Sequence, residues 1–204
     1  MDPKKVAILS KYMPEPAAQQ IASWIDSYQC EFKISKGRNT KFGDYRPPFQ
    51  NKAHRISVNH NLNPYAFLIT TVHEFAHLST WNRYQNKVKP HGVEWKTSFQ
   101  NMMRPFFDMG IFPDDVEKAV VNYLRNPAAS SCSDKVLFRT LKKYDPLKEG
   151  LIMVEQIAEN ELFEMENGRV FKKLNKIRTR YRCLEVQSGK FYLFNPLAEV
   201  RLVG

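Results

Sequence analysis

The chain has 204 residues, 43% of them hydrophobic, a length that buries one core of useful size and a smaller second one. Its 31 Lys and Arg against 21 Asp and Glu leave a formal charge of +10, which suits acidic partners. Three scattered cysteines, Cys30, Cys132 and Cys183, exclude a zinc ribbon built on C-x-x-C pairs, and no apolar run is long enough to span a bilayer.

Met1 to Tyr12 is charged and poor in apolar residues, so no secretory signal is expected, and the unpaired cysteines suit a reducing, cytoplasmic setting without membrane attachment. Pro14 to Tyr28 reads as an amphipathic helix with Ile21, Trp24, Ile25 and Tyr28 on one face. Glu31 to Asn59 reads as strands interrupted by the turn residues Lys36-Gly37 and Arg46-Pro47-Pro48.

Pro64 to Trp81 has the marks of one buried helix. Asn63 is a good N-cap, Pro64 suits the first helical position because its missing N–H would be unpaired there, and Leu68, Val72, Phe75 and Ser79 recur at helical spacing. Inside it stands His73-Glu74-Phe75-Ala76-His77. Positions i and i+4 share a helix face, so both imidazoles can address one ion with Glu74 beside it, which is half of a tetrahedral zinc site.

A catalytic zinc needs a third protein ligand and an open position. The position six residues after His77 is Arg83, which excludes the compact metzincin arrangement. The chain instead crosses a polar loop, Asn82 to Pro90, and reaches His91-Gly92-Val93-Glu94-Trp95 at the start of a second helix. There Gly92 permits a sharp turn, and Trp95, Phe99, Met102 and Phe106 form an apolar stripe against the first helix. Such a hairpin returns His91 to His77, and Glu94 is the rival third ligand.

Pro113-Asp114-Asp115 opens a last helix to about Arg125, and a linker is expected over residues 128–145. Short strands follow at Leu151 to Ile157, Glu161 to Glu166, Arg169 to Leu174, Lys176 to Val186, Lys190 to Phe194 and Ala198 to Val203, with Asn167-Gly168 a strong hairpin signal. A small antiparallel barrel or curled sheet is expected. As a strand, Lys176 to Val186 would place Lys176, Arg178, Arg180 and Arg182 on one face, about 7 Å apart, which suits a phosphate backbone. The same cations also read as a solvated face partly neutralised by Glu161, Glu164 and Glu166.

The pairing of His73-Glu74-x-x-His77 with His91-Gly92-x-x-Trp95 resembles the SprT-like family, which includes bacterial SprT proteins and the eukaryotic protease Spartan. The likeness extends upstream to Gly37-Arg38-Asn39-Thr40-Lys41-Phe42-Gly43-Asp44-Tyr45-Arg46 and His54-Arg55-Ile56-Ser57-Val58-Asn59, and covers about residues 10–125. It implies one catalytic Zn2+ held by His73, His77 and His91, with Glu74 as catalytic base. The C-terminal four-cysteine ribbon frequent in the family is missing, and Tyr181-Arg182-Cys183 resembles only the beginning of a knuckle.

The expected class is α+β: a zincin-like helical metallopeptidase domain with a small preceding β-sheet over 1–127, then a small basic antiparallel β unit, barrel-like or ribbon-like without metal, over 146–204. The expected activity is zinc-dependent endopeptidase action on a protein substrate. The resemblance to Spartan, which degrades proteins crosslinked to DNA, adds DNA as a partner. A peptidase without DNA dependence, or a non-catalytic nucleic-acid-binding protein with a structural metal, are the alternatives. No sequence pattern identifies the donor to the oxyanion; Tyr45, Tyr84 and Arg83 are the side chains named for it.

Overall fold

Residues 2–38, 41–128, 134–146 and 150–203 are described by the computed structural model of the chain. They fall into two units divided between Asp145 and Pro146. Asn39, Thr40 and Cys132 lie outside the described residues.

The first unit opens with a short helix that the charged N-terminal sequence did not announce, α1 (Pro3–Leu9). Its determinants are local: Asp2 Oδ1 accepts from Lys4 N–H at 2.9 Å, Pro3 occupies the first turn, and Leu9 is buried. Helix α2 (Glu15–Ser27) buries Ala17, Ala18, Ile21, Ala22 and Ile25. Strands β1 (Glu31–Ser35), β2 (Gly43–Arg46) and β3 (Arg55–Asn59) then form a sheet in the order β1-β3-β2, with β1 parallel and β2 antiparallel to the central β3.

Helix α3 (Pro64–Tyr84) is the axis of this unit. Asn63 Oδ1 caps it by accepting from Ala66 N–H at 2.9 Å, and Pro64 follows as expected. Residues are buried all round it, because the sheet, α2 and α4 (Val93–Asp108) enclose it. Phe75 shows this enclosure: it stacks on Phe32 of β1 and meets Trp24 of α2 edge-on, with centroids 6.4 and 5.4 Å away. Two buried threonines keep their hydroxyls satisfied within the helix, Thr71 on the Phe67 carbonyl and Thr80 on that of Ala76. On α4 the stripe is Trp95, Phe99, Met103 and Phe106, so Met103 is the fully buried methionine and the expected Met102 is only partly buried.

Helix α5 (Asp114–Leu124) begins after Pro113, and α6 (Lys135–Lys142) lies within the span expected to be a linker. Asp134 Oδ1 caps α6 by accepting from Leu137 N–H at 2.9 Å, and Leu137 and Leu141, four residues apart, enter the first unit's core. Asn63 Nδ2 donates to the Leu141 carbonyl and to Asp145 Oδ1, at 2.9 and 2.7 Å. The residue that caps α3 therefore also anchors the end of α6. Among the described residues no helix is long and apolar enough to cross a membrane.

The second unit is a six-stranded antiparallel sheet of β4 (Leu151–Met153), β5 (Leu162–Glu164), β6 (Val170–Ile177), β7 (Arg180–Glu185), β8 (Phe191–Phe194) and β9 (Glu199–Leu202), in the order β4-β9-β5-β6-β7-β8. The expected strand over Lys176 to Val186 is corrected: the chain reverses at Arg178-Thr179, and Ile177 pairs with Arg180. Arg178 takes φ 50°, a turn conformation, so period-two alternation stops there. Lys176 consequently shares a face with Tyr181, while Arg180 and Arg182 lie on the other face with Ile177 and Leu193. The core of this sheet is Val154, Ile157, Phe163, Phe171, Cys183 and Val200.

Candidate metal centre

Helix α3 sets His73 and His77 one turn apart, and the start of α4 brings the third imidazole to them. His73 Nε2 lies 3.3 Å from His77 Nε2 and 3.4 Å from His91 Nε2. Donors placed tetrahedrally around zinc at its usual nitrogen distance are about 3.4 Å from one another. The three histidines therefore fit a single ion, and their ligand atoms all lie within 4.8 Å of one another. Among the described residues this is the one such group, and Glu94 is not part of it.

The electrostatics favour neutral ligands. Burial, with the neighbouring His77 and His91 adding, pushes the His73 imidazole down to about 2. His77 is pushed down to about 3 by burial and by His91, and burial also lowers the less enclosed His91. A metal ligand must be deprotonated, so a pocket that already resists imidazolium removes a competitor of the metal.

The turn into α4 is made differently from the expectation. His91 itself takes the left-handed backbone, φ 56°, a conformation that costs a non-glycine residue about 1–2 kcal/mol. Gly92 is extended (φ −70°, ψ −173°) and serves as N-cap. What it contributes is space, since a Cβ there would stand 2.9 Å from the Lys89 carbonyl oxygen and 3.2 Å from Glu94 Oε2. Trp95 then packs against all three imidazoles, with centroids 4.7, 5.3 and 4.6 Å from His73, His77 and His91. Its indole Nε1 is buried with no hydrogen-bond partner.

Glu74 follows His73 on the same turn of α3, 6% exposed, and lies against Gly43 of β2. Burial first, then the Asp44 charge, raises its carboxyl to about 8, while Arg38, Lys41 and the Tyr45 backbone oppose that shift. Tyr45, two residues beyond Gly43, lies parallel to the His77 ring, centroids 6.2 Å apart, and its hydroxyl is 3.0 Å from His54 Nδ1. His54 in turn meets Trp81 edge-on. The family likeness includes the segments that hold Tyr45 and His54, but no spacing in the sequence sets them against the histidine helix; the pairing of β2 with β3 does so. Arg83 and Tyr84, at the end of α3, engage each other, with the guanidinium 5.3 Å from the ring centroid.

The cations expected to read phosphate lie in the second unit and are partly occupied there. Arg182 lies 3.7 Å over the Phe191 ring, and Lys176 is 5.5 Å from the centroid of Tyr181. Lys173, which the basic run includes, is buried and donates to the carbonyls of Ile157 and Glu155.

A family model described as the SprT-like family matches residues 15–117, a segment that includes β1 to β3, helices α3 and α4, and His73, His77 and His91. No curated protein and no solved structure matches the chain.

Proposed function

The chain belongs to the SprT-like family, and from that premise we propose that it is a zinc-dependent endopeptidase whose zincin-like catalytic domain is the first unit, residues 1–145. The observation that carries this reading is the convergence of three neutral imidazoles at tetrahedral-edge spacing on a helix that also bears Glu74. His73, His77 and His91 are assigned as the ligands of one Zn2+ ion. When bound, zinc supplies a Lewis acid that polarises a peptide carbonyl and acidifies water.

The protein's own residues divide the remaining work. With a dication held at the neighbouring imidazoles Glu74 would be ionised, its carboxylate accepting the proton of the water that attacks the carbonyl carbon and then donating it to the departing amine nitrogen. Trp95 covers the imidazoles and keeps bulk water from that side of the site. Tyr45, held by His54, is the best placed of the three named side chains to face the oxyanion, since it lies on the His77 ring. The buried free thiols of Cys30 and Cys183 suit the reducing cytoplasm.

The finer assignment is action on proteins bound or crosslinked to DNA. Its support is the formal charge of +10 together with the likeness to Spartan. A DNA-independent peptidase is the second reading, favoured by the engagement of Lys173, Lys176 and Arg182 within their own sheet. A structural-metal binding protein is disfavoured by Glu74, which such a site does not need.

The test is elemental analysis of wild type and of His73→Ala, His77→Ala and His91→Ala, with casein cleavage measured in parallel. About one zinc per chain, lost in each histidine variant, and cleavage abolished in a Glu74→Gln variant that keeps its zinc are the expected results. Cleavage that survives Glu74→Gln would assign the activity to another site.

A further inference from the structure

The excess positive charge is not where the basic C-terminal run suggests. Residues 1–145 carry 21 Lys and Arg against 13 Asp and Glu, a formal +8, whereas residues 146–204 carry 10 against 8, a formal +2. Within the first unit, the face of the three-stranded sheet turned away from α3 collects cations. On this face Arg55 of central β3 stands between Arg46 of β2 and Glu31 of β1. Two residues along, Ser57 stands between Asp44 and Lys33.

Arg38 reaches over this row from the chain beyond β1. Its Nε donates to Asn59 Oδ1 at 2.8 Å and one terminal nitrogen to Ser57 Oγ at 3.2 Å. Asn59, buried, donates in turn to the carbonyls of Arg38 and Lys41 at 3.1 and 3.0 Å. The guanidinium is thereby fixed over the sheet, with two of its five N–H groups still available for an acceptor.

The side chains enclose a cleft in which charge is unbalanced. Asp44 is already taken by Lys41 Nζ at 2.8 Å and Arg46 Nε at 2.9 Å. Arg55 Nε is buried and has no hydrogen-bond partner. A buried, cationic donor without an acceptor is costly, and an anion in the cleft removes that cost.

We propose that this sheet face binds the phosphodiester backbone of nucleic acid, with Arg55, Arg38 and Lys33 donating to phosphate oxygens. A polyanion is favoured over a single small anion because the cations extend over two rows of the sheet and the whole unit carries +8. The inference rests on the DNA part of the proposed function and is independent of peptide hydrolysis. It places the contact in the unit that holds the histidines.

The experiment is fluorescence anisotropy of a labelled single-stranded DNA oligonucleotide with the full chain, titrated at several salt concentrations. Wild type is compared with Lys33→Glu/Arg55→Gln and with Arg180→Glu/Arg182→Glu, and zinc content and melting temperature report the fold of each. The sheet variant is expected to bind about tenfold or more weakly, with the slope of log K against log salt reduced by about 2. Inorganic phosphate at equal phosphate concentration is expected to displace little DNA. Should the double variant unfold, Lys33→Glu alone, at an exposed strand position, is expected to reduce the slope by about 1. Absence of DNA binding by wild type, wild-type affinity and slope in the sheet variants, full displacement by inorganic phosphate, or a loss confined to Arg180→Glu/Arg182→Glu would each overturn the proposal. Because no outcome is read from cleavage, a failed peptidase assignment leaves the result standing, and the converse holds.

Discussion

Gly43 of β2 lies directly against Glu74 of α3: a Cβ at Gly43 would stand 2.8 Å from both Glu74 Cγ and Thr70 Cγ2, and closer still to Glu74 Oε1. The strand can cross the carboxylate only because this position has no side chain. Gly43→Ala is therefore expected to destabilise the protein by about 1–3 kcal/mol and to displace the Glu74 carboxylate. Zinc content should stay near wild type, since the histidines are not touched, while kcat for casein cleavage falls with little change in KM. Wild-type kcat in a folded Gly43→Ala protein would show that the position of Glu74 tolerates the shift.

If His73, His77 and His91 hold zinc in the folded chain alone, the metal stabilises it by mass action. At a free zinc concentration of about 100 times Kd the gain is about 2.7 kcal/mol. Chelation should lower Tm by several degrees, and added zinc should restore it. In each His→Ala variant the zinc-dependent part of the shift should vanish. A chelator-insensitive Tm in wild type would show that zinc is not bound preferentially by the folded state.

The histidine centre was legible in the sequence because helix periodicity converts the spacing of His73 and His77 into a shared face. Asn63 and Pro64 likewise fixed the start of α3, since capping is decided within four residues. What could not be read depends on partners distant in the chain. Gly43 meets Glu74, and Tyr45 meets His77, only through the pairing of β2 with β3 and the packing of α3 beneath them. Helix α6 was missed because its eight residues follow a segment rich in Ser, Ala and Pro; two leucines entering the core make it a helix. The left-handed turn was assigned to Gly92 by residue type, whereas the geometry that delivers the third imidazole places it on His91.

Trp95 touches all three imidazole rings, so its emission should report the occupant of the site. Co2+, which three imidazoles can also hold, has an open d shell and is expected to quench Trp95 fluorescence, while Zn2+ is not. Trp95→Phe should remove the Co2+-sensitive part of the emission and leave that of Trp24 and Trp81. It also removes an unpartnered buried N–H, which offsets part of the packing lost. Equal quenching in Trp95→Phe would place the metal elsewhere.

In the second unit Glu185 accepts from Arg169 Nε at 2.5 Å and from the Ser188 hydroxyl. The Arg169 hydrogen bond, then that of Ser188, lowers the Glu185 carboxyl to about 2 from its ordinary value of 4.5. A depressed acid contributes stability that is complete above 4.5 and is lost as pH falls through about 2. Wild type should therefore be more stable than Glu185→Gln at pH 6, and the two should converge as the pH falls from 4.5 towards 2. Urea midpoints at several pH values measure the difference. A constant gap over that range would remove Glu185 as its source.

Arg178 is the first residue of a two-residue hairpin loop and holds φ 50°. A loop with positive φ at that position favours glycine, and relieving the left-handed penalty of about 1–2 kcal/mol outweighs the roughly 0.5–1 kcal/mol by which glycine loosens the unfolded chain. Arg178→Gly should accordingly raise stability by about 0.5–1 kcal/mol, even though it removes a charged side chain from the basic run. In a continuous strand from Lys176 to Val186 the same change would cost stability, because glycine weakens strand interiors. The sign of the change in urea midpoint therefore decides between hairpin and strand. A stabilised Arg178→Gly protein that keeps its DNA affinity would also separate the turn from the phosphate contacts assigned to Lys33, Arg38 and Arg55.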